Sequence, residues 1–287
     1  VAGGRRVFTI IDEVPTVKDA PDAFDYVFKG GHIRCQDVDF SYVQGRKILR
    51  HNTFDVQPGE SIGICGPTGA GKSTLINILT RYYDIDSGTI LIDGQDLSKL
   101  TQESLRKQVG VVLQEAFLFT DTVMNNLKYA REGATDAECI EAAKEANAHD
   151  FIMNLPHGYD TMLTERGANL SQGQRQMITI ARAMVAQPKI MILDEATSNV
   201  DTRTEKLIQE GLRKLMEGKT SFSIAHRLAT IRDSAKIMVL NGGEIVEYDP
   251  HDELMADKGF YYALYMSQFK GKAPAGLDAA DVDFVST

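Results

Sequence analysis

No run of about 18 consecutive apolar residues occurs in the 287-residue sequence, so no segment of it reads as a helix crossing a bilayer. Cysteine is scarce. Cys35, Cys65 and Cys139 form no close pair, which excludes a disulfide framework and a structural zinc site and fits a reducing compartment. Positive charge is outweighed, with 31 Lys and Arg against 40 Asp and Glu and a net charge of −9. Such a chain lacks the basic face that tight, sequence-independent nucleic-acid binding needs, so no nucleic-acid partner is expected. Internal repeats and low-complexity blocks are missing too. With 43% hydrophobic residues spread evenly along it, the chain is not a disordered one, and its length suits one large α/β domain or two small ones.

The flanks differ from the body. The sequence opens on Val1 and residues 1–22 carry no signal-peptide pattern. Pro15 and Pro21 punctuate an acidic segment, residues 12–25, that reads as a linker. Residues 271–287 are small, acidic and aperiodic, and are expected to form a flexible tail.

Residues 60–65 read as a short apolar strand running into Gly66, Pro67, Thr68, Gly69, Ala70, Gly71, Lys72, Ser73 and Thr74, then into an apolar helical stripe. That is G-x-x-x-x-G-K-[ST] between strand and helix, the setting in which it binds phosphate. Glycines let backbone N–H groups turn inward around an anion, and the helix N-terminus adds its positive end. Lys72 would reach the β- and γ-phosphates, and the Ser73 hydroxyl would ligate Mg²⁺. A nucleotide and Mg²⁺ are therefore the expected ligands, although the loop alone does not separate kinases, GTPases, helicases and transport ATPases. A second buried strand, residues 189–193, ends in Asp194 and Glu195, at the strand ends where α/β sheets carry out ligand chemistry. Asp194 would hold Mg²⁺ through water, and Glu195 would act as base or orienter for the attacking water.

Between these motifs, Leu170, Ser171, Gln172, Gly173 and Gln174 open an apolar-striped helix, with Ser171 and Gln174 forming a capping box. This pattern resembles the LSGGQ motif of ABC transporter nucleotide-binding domains. The resemblance covers about residues 5–270 and assigns further residues. It gives Tyr42 the stacking of adenine, and it gives Gln114 the link between Mg²⁺, water and the transmembrane coupling region. Residues 198–201, ending in Asp201, become the loop crossing a dimer interface, and His226 the switch that contacts the γ-phosphate and Glu195. Ser171, Gly173 and Gln174 would touch the nucleotide held by the opposite domain. Thr164, Glu165, Arg166 and Gly167, with residues 114–127, resemble the exporter branch in particular.

The resemblance implies a P-loop NTPase fold, α/β, with a RecA-like parallel sheet core, an antiparallel β subdomain and a helical subdomain at about residues 115–188. It divides the chain into residues 1–30, a linker after a transmembrane domain, residues 31–270, the ATPase domain, and the tail. The implied function is ATP binding and hydrolysis that powers efflux at the cytoplasmic face of the cell membrane. The implied partners are a second ATPase domain, identical or related, and a transmembrane domain fused N-terminally. The alternative is a separately encoded ABC ATPase not tied to export. One departure stands out: the family has glycine where this chain has Gln172, which casts the chain as the competent half of a heterodimer, a homodimer being the alternative. Locally, Asp93-Gly94 is expected to form a hairpin turn, residues 135–147 a helix boxed by Thr135 and Glu138, and residues 201–218 a further helix.

Overall fold

Two sheets meet at the phosphate loop. The computed structural model describes residues 8, 9, 11–113, 115–195, 200–225 and 228–269, with only the backbone of Glu195 and Phe269. The strands are β1 (Ile33–Phe40), β2 (Leu49–Val56), β3 (Ser61–Cys65), β4 (Ser87–Ile92), β5 (Gln95–Asp96), β6 (Val109–Val112), β7 (Ile190–Glu195), β8 (Thr220–Ala225), β9 (Lys236–Asn241) and β10 (Glu244–Asp249). The helices that matter below are α1 (Lys72–Leu79), α2 (Gln102–Gln108), α3 (Val123–Lys128), α4 (Asp136–Glu145), α5 (His149–Met153), α6 (Gln172–Ala186), α7 (Thr202–Met216), α8 (Leu228–Ile231), α9 (His251–Asp257) and α10 (Phe260–Phe269).

The first sheet is antiparallel, in the order β2-β1-β4-β5. Its tightest turn is the expected Asp93-Gly94, where both residues have positive φ, 52° and 75°, the combination two-residue hairpins favour. The second sheet runs β10-β9-β3-β8-β7-β6, parallel except for β10 at one edge. Its strands β3, β7 and β9 are apolar on both faces because both faces are covered. Ile190 and Ile192 point into a core shared with α1 and the antiparallel sheet, while Met191 and Leu193 point into a core shared with α3, α4, α6 and α7. On β9 the same alternation sends Met238 and Leu240 to the first core, and Ile237 and Val239 to a third one under α8, α9 and α10. The sheet thus anchors three cores, one on one face and two on the other, and its strand ends form the platform for the site.

Capping residues fix where the helices start. The Thr135–Glu138 box opens α4, which stops at Glu145, two residues short of the expected end, and Asn147 follows with φ 58°. Asp201 caps α7 by accepting from Arg203 N at 3.1 Å and Thr204 N at 3.0 Å. Caps of this kind contribute about 1 kcal/mol each.

The acidic stretch expected to be a linker is fastened to the domain over residues 18–32. The Asp19 carboxylate accepts from Gln102 N at 3.1 Å and pairs with the buried Arg81, which also donates to the carbonyls of Lys18 and Leu100. Further along, Asp93 accepts from Tyr26 Oη and Lys29 N, both at 2.7 Å, and from Gly31 N and His32 N, both at 2.9 Å. One carboxylate therefore satisfies four donors and presses Tyr26 into the core. Replacing Asp93 with Ala should cost about 2–3 kcal/mol, because the donors lose their acceptor together, and should expose residues 26–32 to protease. Urea unfolding reads this directly, and a loss below about 0.5 kcal/mol would contradict it.

Candidate active site

β3 delivers the chain to the loop, and the loop has little room. Gly66 has φ 144°, and a Cβ there would stand 2.1 Å from the Leu240 carbonyl oxygen, so the position excludes any side chain. At Gly69 (φ 82°) a Cβ would meet nothing within 4 Å, because this glycine faces the open side of the loop. The loop is bonded to both sheets. The Ala70 carbonyl accepts from Gly243 N at 3.2 Å, and the Gly243 carbonyl accepts from Arg50 N and from the buried Asn52 Nδ2, both at 2.9 Å.

α1 then begins at Lys72, with Gly71 as a cap lacking a side chain and no acidic residue in the first turn. Its leading N–H groups have no intrahelical acceptor, so the helix end presents uncompensated positive potential. Lys72 Nζ folds back to donate to the carbonyls of Gly66 and Pro67, both at 2.9 Å. Burial pulls the Lys72 pKa below its ordinary value, against the opposing pull of Cys65 and Asp194. Pro67, Thr68, Gly69 and Ser73 are exposed, so the anion face of the loop is open.

Asp194 lies at the end of β7, where it pairs with Ile224 of β8, and β8 pairs in turn with β3. The acid and the phosphate loop thus occupy the same edge of the sheet, one strand apart. Among the described residues no group of three or more His, Cys, Asp and Glu side chains could cage a metal. Ser73 and Asp194 supply oxygen donors that suit Mg²⁺, a cation that takes few protein ligands and the rest from phosphate and water. The residues present therefore fit a magnesium nucleotide.

Tyr42, two residues past β1, stands beside this loop. Its hydroxyl donates to Thr74 Oγ1 at 3.2 Å and accepts from Asn77 Nδ2 at 3.2 Å. Phe40 and Tyr83 brace the ring edge-on, with centroids 4.9 and 5.0 Å away, leaving Tyr42 46% exposed. Tyr83 and Asn77 were not candidates on sequence. Asn77 lies one turn beyond Thr74 on α1 and was within reach of helical spacing, whereas nothing local signals Tyr83.

The Ser171–Gln174 box forms as expected: Ser171 N donates to Gln174 Oε1 at 2.9 Å, and Gln174 N to Ser171 Oγ at 3.2 Å. Gly173, between them, is buried against α7, while Gln172 is half-buried and its side chain is accommodated. The Thr204 hydroxyl, foremost, holds the Asp201 carboxyl below the usual carboxylate range. Among the described residues, no hydrogen bond links Ser171, Gly173, Gln174 or Asp201 to residues 66–74 of the same chain. Gln114, Ser198, Asn199 and His226, assigned by resemblance, lie outside the described residues, as does the side chain of Glu195, assigned from its strand-end motif.

A glycine-rich loop between β3 and α1, facing an acidic strand end with one parallel strand between, defines a P-loop nucleotide-binding domain. The chain belongs to the ABC transporter family, whose model matches residues 49–198. It is 52% identical over 270 residues to the uncharacterized ABC transporter ATP-binding protein YfiC of Bacillus subtilis (strain 168), covering 94% of this chain and 45% of that protein. It is 47% identical over 270 residues to the ATP-dependent lipid A-core flippase of Syntrophus aciditrophicus (strain SB), with the same shares of 94% and 45%. The solved structure of a bacterial Atm1-family ABC exporter with ATP bound superposes with a TM-score of 0.87 at 42% identity, over 95% of this chain and 47% of that one. The chain thus spans about half the length of the curated relatives it matches, and it corresponds to the ATP-binding domain of exporter-branch proteins.

The two loop glycines separate packing from backbone strain. Gly66→Ala should displace β9 and cost about 3 kcal/mol or more, whereas Gly69→Ala should cost only the strain of a left-handed alanine, about 1 kcal/mol. Thermal denaturation of the two variants side by side checks this, and equal losses would contradict the packing argument.

Proposed function

We propose that this chain binds ATP on residues 66–74, with adenine on Tyr42, and hydrolyses it in a sandwich with a second domain of the same type to drive export across a membrane. One observation carries the reading. The chain has a complete phosphate cradle and a separate capped helix end at Ser171, and among the described residues no hydrogen bond joins the two. A second domain, in another copy or a related chain, can offer its Ser171 end to this cradle and receive the reverse. The exporter branch enters from the flippase and the ATP-bound exporter to which the chain is similar. Those proteins are about twice as long, which supports a further domain in the same polypeptide. The family resemblance makes it a transmembrane domain on the N-terminal side, with this domain at the cytoplasmic face.

In this reading residues 31–270 form the ATPase domain, residues 115–188 its helical part, and residues 1–30 the connection to the membrane. The leading N–H groups of α1 and Lys72 bind the phosphates and hold developing negative charge during in-line attack. Mg²⁺, held by Ser73, Asp194 and Gln114, would neutralise charge on the β- and γ-phosphate oxygens. Glu195 accepts the proton of the attacking water, His226 holds the γ-phosphate side, and Asp201 lies on the face shared with the second domain. Gln172 sits at this face with its side chain accommodated, so the departure from glycine leaves the capped end intact.

In the full-length protein, Glu195→Gln should keep ATP binding and lose hydrolysis by about 10²-fold or more, the share of a positioned base. Tyr42→Ala should instead weaken ATP by about 1–3 kcal/mol, the worth of one base–aromatic stack, with kcat little changed. ATP binding and steady-state hydrolysis separate the two. A fully active Glu195→Gln variant would overturn the base, and an unaltered KM in Tyr42→Ala would overturn the adenine contact.

A further inference from the structure

Gly173 is the second residue of α6, and its surroundings account for it without any ligand. A Cβ there would stand 2.3 Å from Thr204 Cγ2 and 3.3 Å from Val200 Cγ1. The first distance lies far inside van der Waals contact. The backbone is ordinary helix, so space and not conformation demands glycine at this position. Thr204 is the third residue of α7, where its N–H donates to the Asp201 carboxylate at 3.0 Å. Its methyl group is what Gly173 accommodates. Farther along the same helix pair, a Cβ on Gly211 of α7 would stand 3.5 Å from Ile180 Cγ2 of α6 and 3.4 Å from the Ala146 backbone, an ordinary contact. The tight point therefore lies at the end of the pair where Ser171 and Asp201 sit.

We infer that the contact between Gly173 and Thr204 locks the capped starts of α6 and α7 into one unit, with Thr204 as the positioning residue that fixes Ser171 relative to Asp201. A methyl at residue 173 has Thr204 and Val200 in its way, so the two helix starts must spread. Both capped ends then miss their places on the face toward the second domain, although each cap remains intact. The phosphate loop, whose helix α1 packs against the opposite face of β7 from α6 and α7, is untouched. The inference rests on the proposed reading that residues 171–174 and Asp201 form that face.

The test uses the full-length protein in its membrane-embedded form, with four variants: Gly173→Ala, Thr204→Ser, Gly173→Ala with Thr204→Ser, and Gly173→Ala with Thr204→Val. Serine removes the offending methyl and keeps a hydroxyl for Asp201, whereas valine keeps a methyl. Gly173→Ala should lower kcat about tenfold or more with ATP binding unchanged, as overpacking displaces the helix starts. Adding Thr204→Ser should restore kcat to within about threefold of wild type, Thr204→Ser alone should stay in that range, and Thr204→Val should rescue nothing. If Gly173→Ala fails to fold, the two double variants decide: the one with serine should fold and melt near wild type, and the one with valine should not. No rescue by serine, or full activity of Gly173→Ala alone, overturns the inference. A wild-type protein with no ATPase activity would instead sink the proposed function, so the two failures are distinguishable.

Discussion

The contact on which the rest of the molecule depends is the approach of Gly66 to the Leu240 carbonyl. It sets the loop down at the carboxyl ends of β3 and β9 with no room for a side chain between them. From there the backbone must turn through Ala70, whose carbonyl is tied to Gly243, and Gly243 is tied in turn to Arg50 and Asn52 of the antiparallel sheet. The loop is consequently held through Gly243 by backbone bonds and the Asn52 side chain, in a geometry that does not depend on a ligand. That is preorganisation in the useful sense: the leading N–H groups of α1 are aimed before any phosphate arrives. Lys72 keeps itself occupied on the loop's own carbonyls and can exchange those bonds for phosphate oxygens.

Around this fixed point the sheet distributes its helices by simple alternation. Neighbouring residues on β7 and β9 serve different cores, so the strands that carry the site are packed on both faces. The aromatic wall is assembled in the same spirit. Tyr42 comes from the end of the antiparallel strand β1, Tyr83 from the chain after α1, and their ring contact joins two parts of the fold that share no local sequence. Among the described residues the capped α6 and α7 starts make no hydrogen bond to the cradle, in keeping with the proposal that another domain completes the site.

Much of this was legible in the sequence because the signals are short-range. The strand–loop–helix order around Lys72, the two capping boxes at Thr135 and Ser171, and the Asp93-Gly94 turn each depend on residues within a few positions of one another, and all appear where expected. The parallel core was readable from the apolar strands at residues 60–65 and 189–193. What escaped depends on long-range contact. Arg81 meeting Asp19, Asp93 gathering the N–H groups of residues 29–32, and Gly173 lying against Thr204 all join positions with no shared pattern. The proline-spaced acidic stretch gave no sign of its contacts with the domain, because composition reports average solvation and not the one carboxylate that finds a partner. Of the candidate site, Lys72, Ser73, Tyr42 and Asp194 gather at one end of the parallel sheet, while Gln114, His226 and the Glu195 side chain lie outside the described residues.

The central claim is that each nucleotide is shared, with the cradle of one domain closed by the Ser171 end of the other. The most direct test compares ATP hydrolysis by two forms of the assembled dimer that carry the same pair of lesions in different places. In the first, Lys72→Ala and Ser171→Arg lie in the same domain. In the second, Lys72→Ala lies in one domain and the matching serine is replaced in the other. Shared sites predict that the first form is inactive, since both sites lose a half, and that the second keeps hydrolysis at its one untouched site. If the first form retains activity and the second loses it, each domain works with its own two motifs and the shared-site account is wrong.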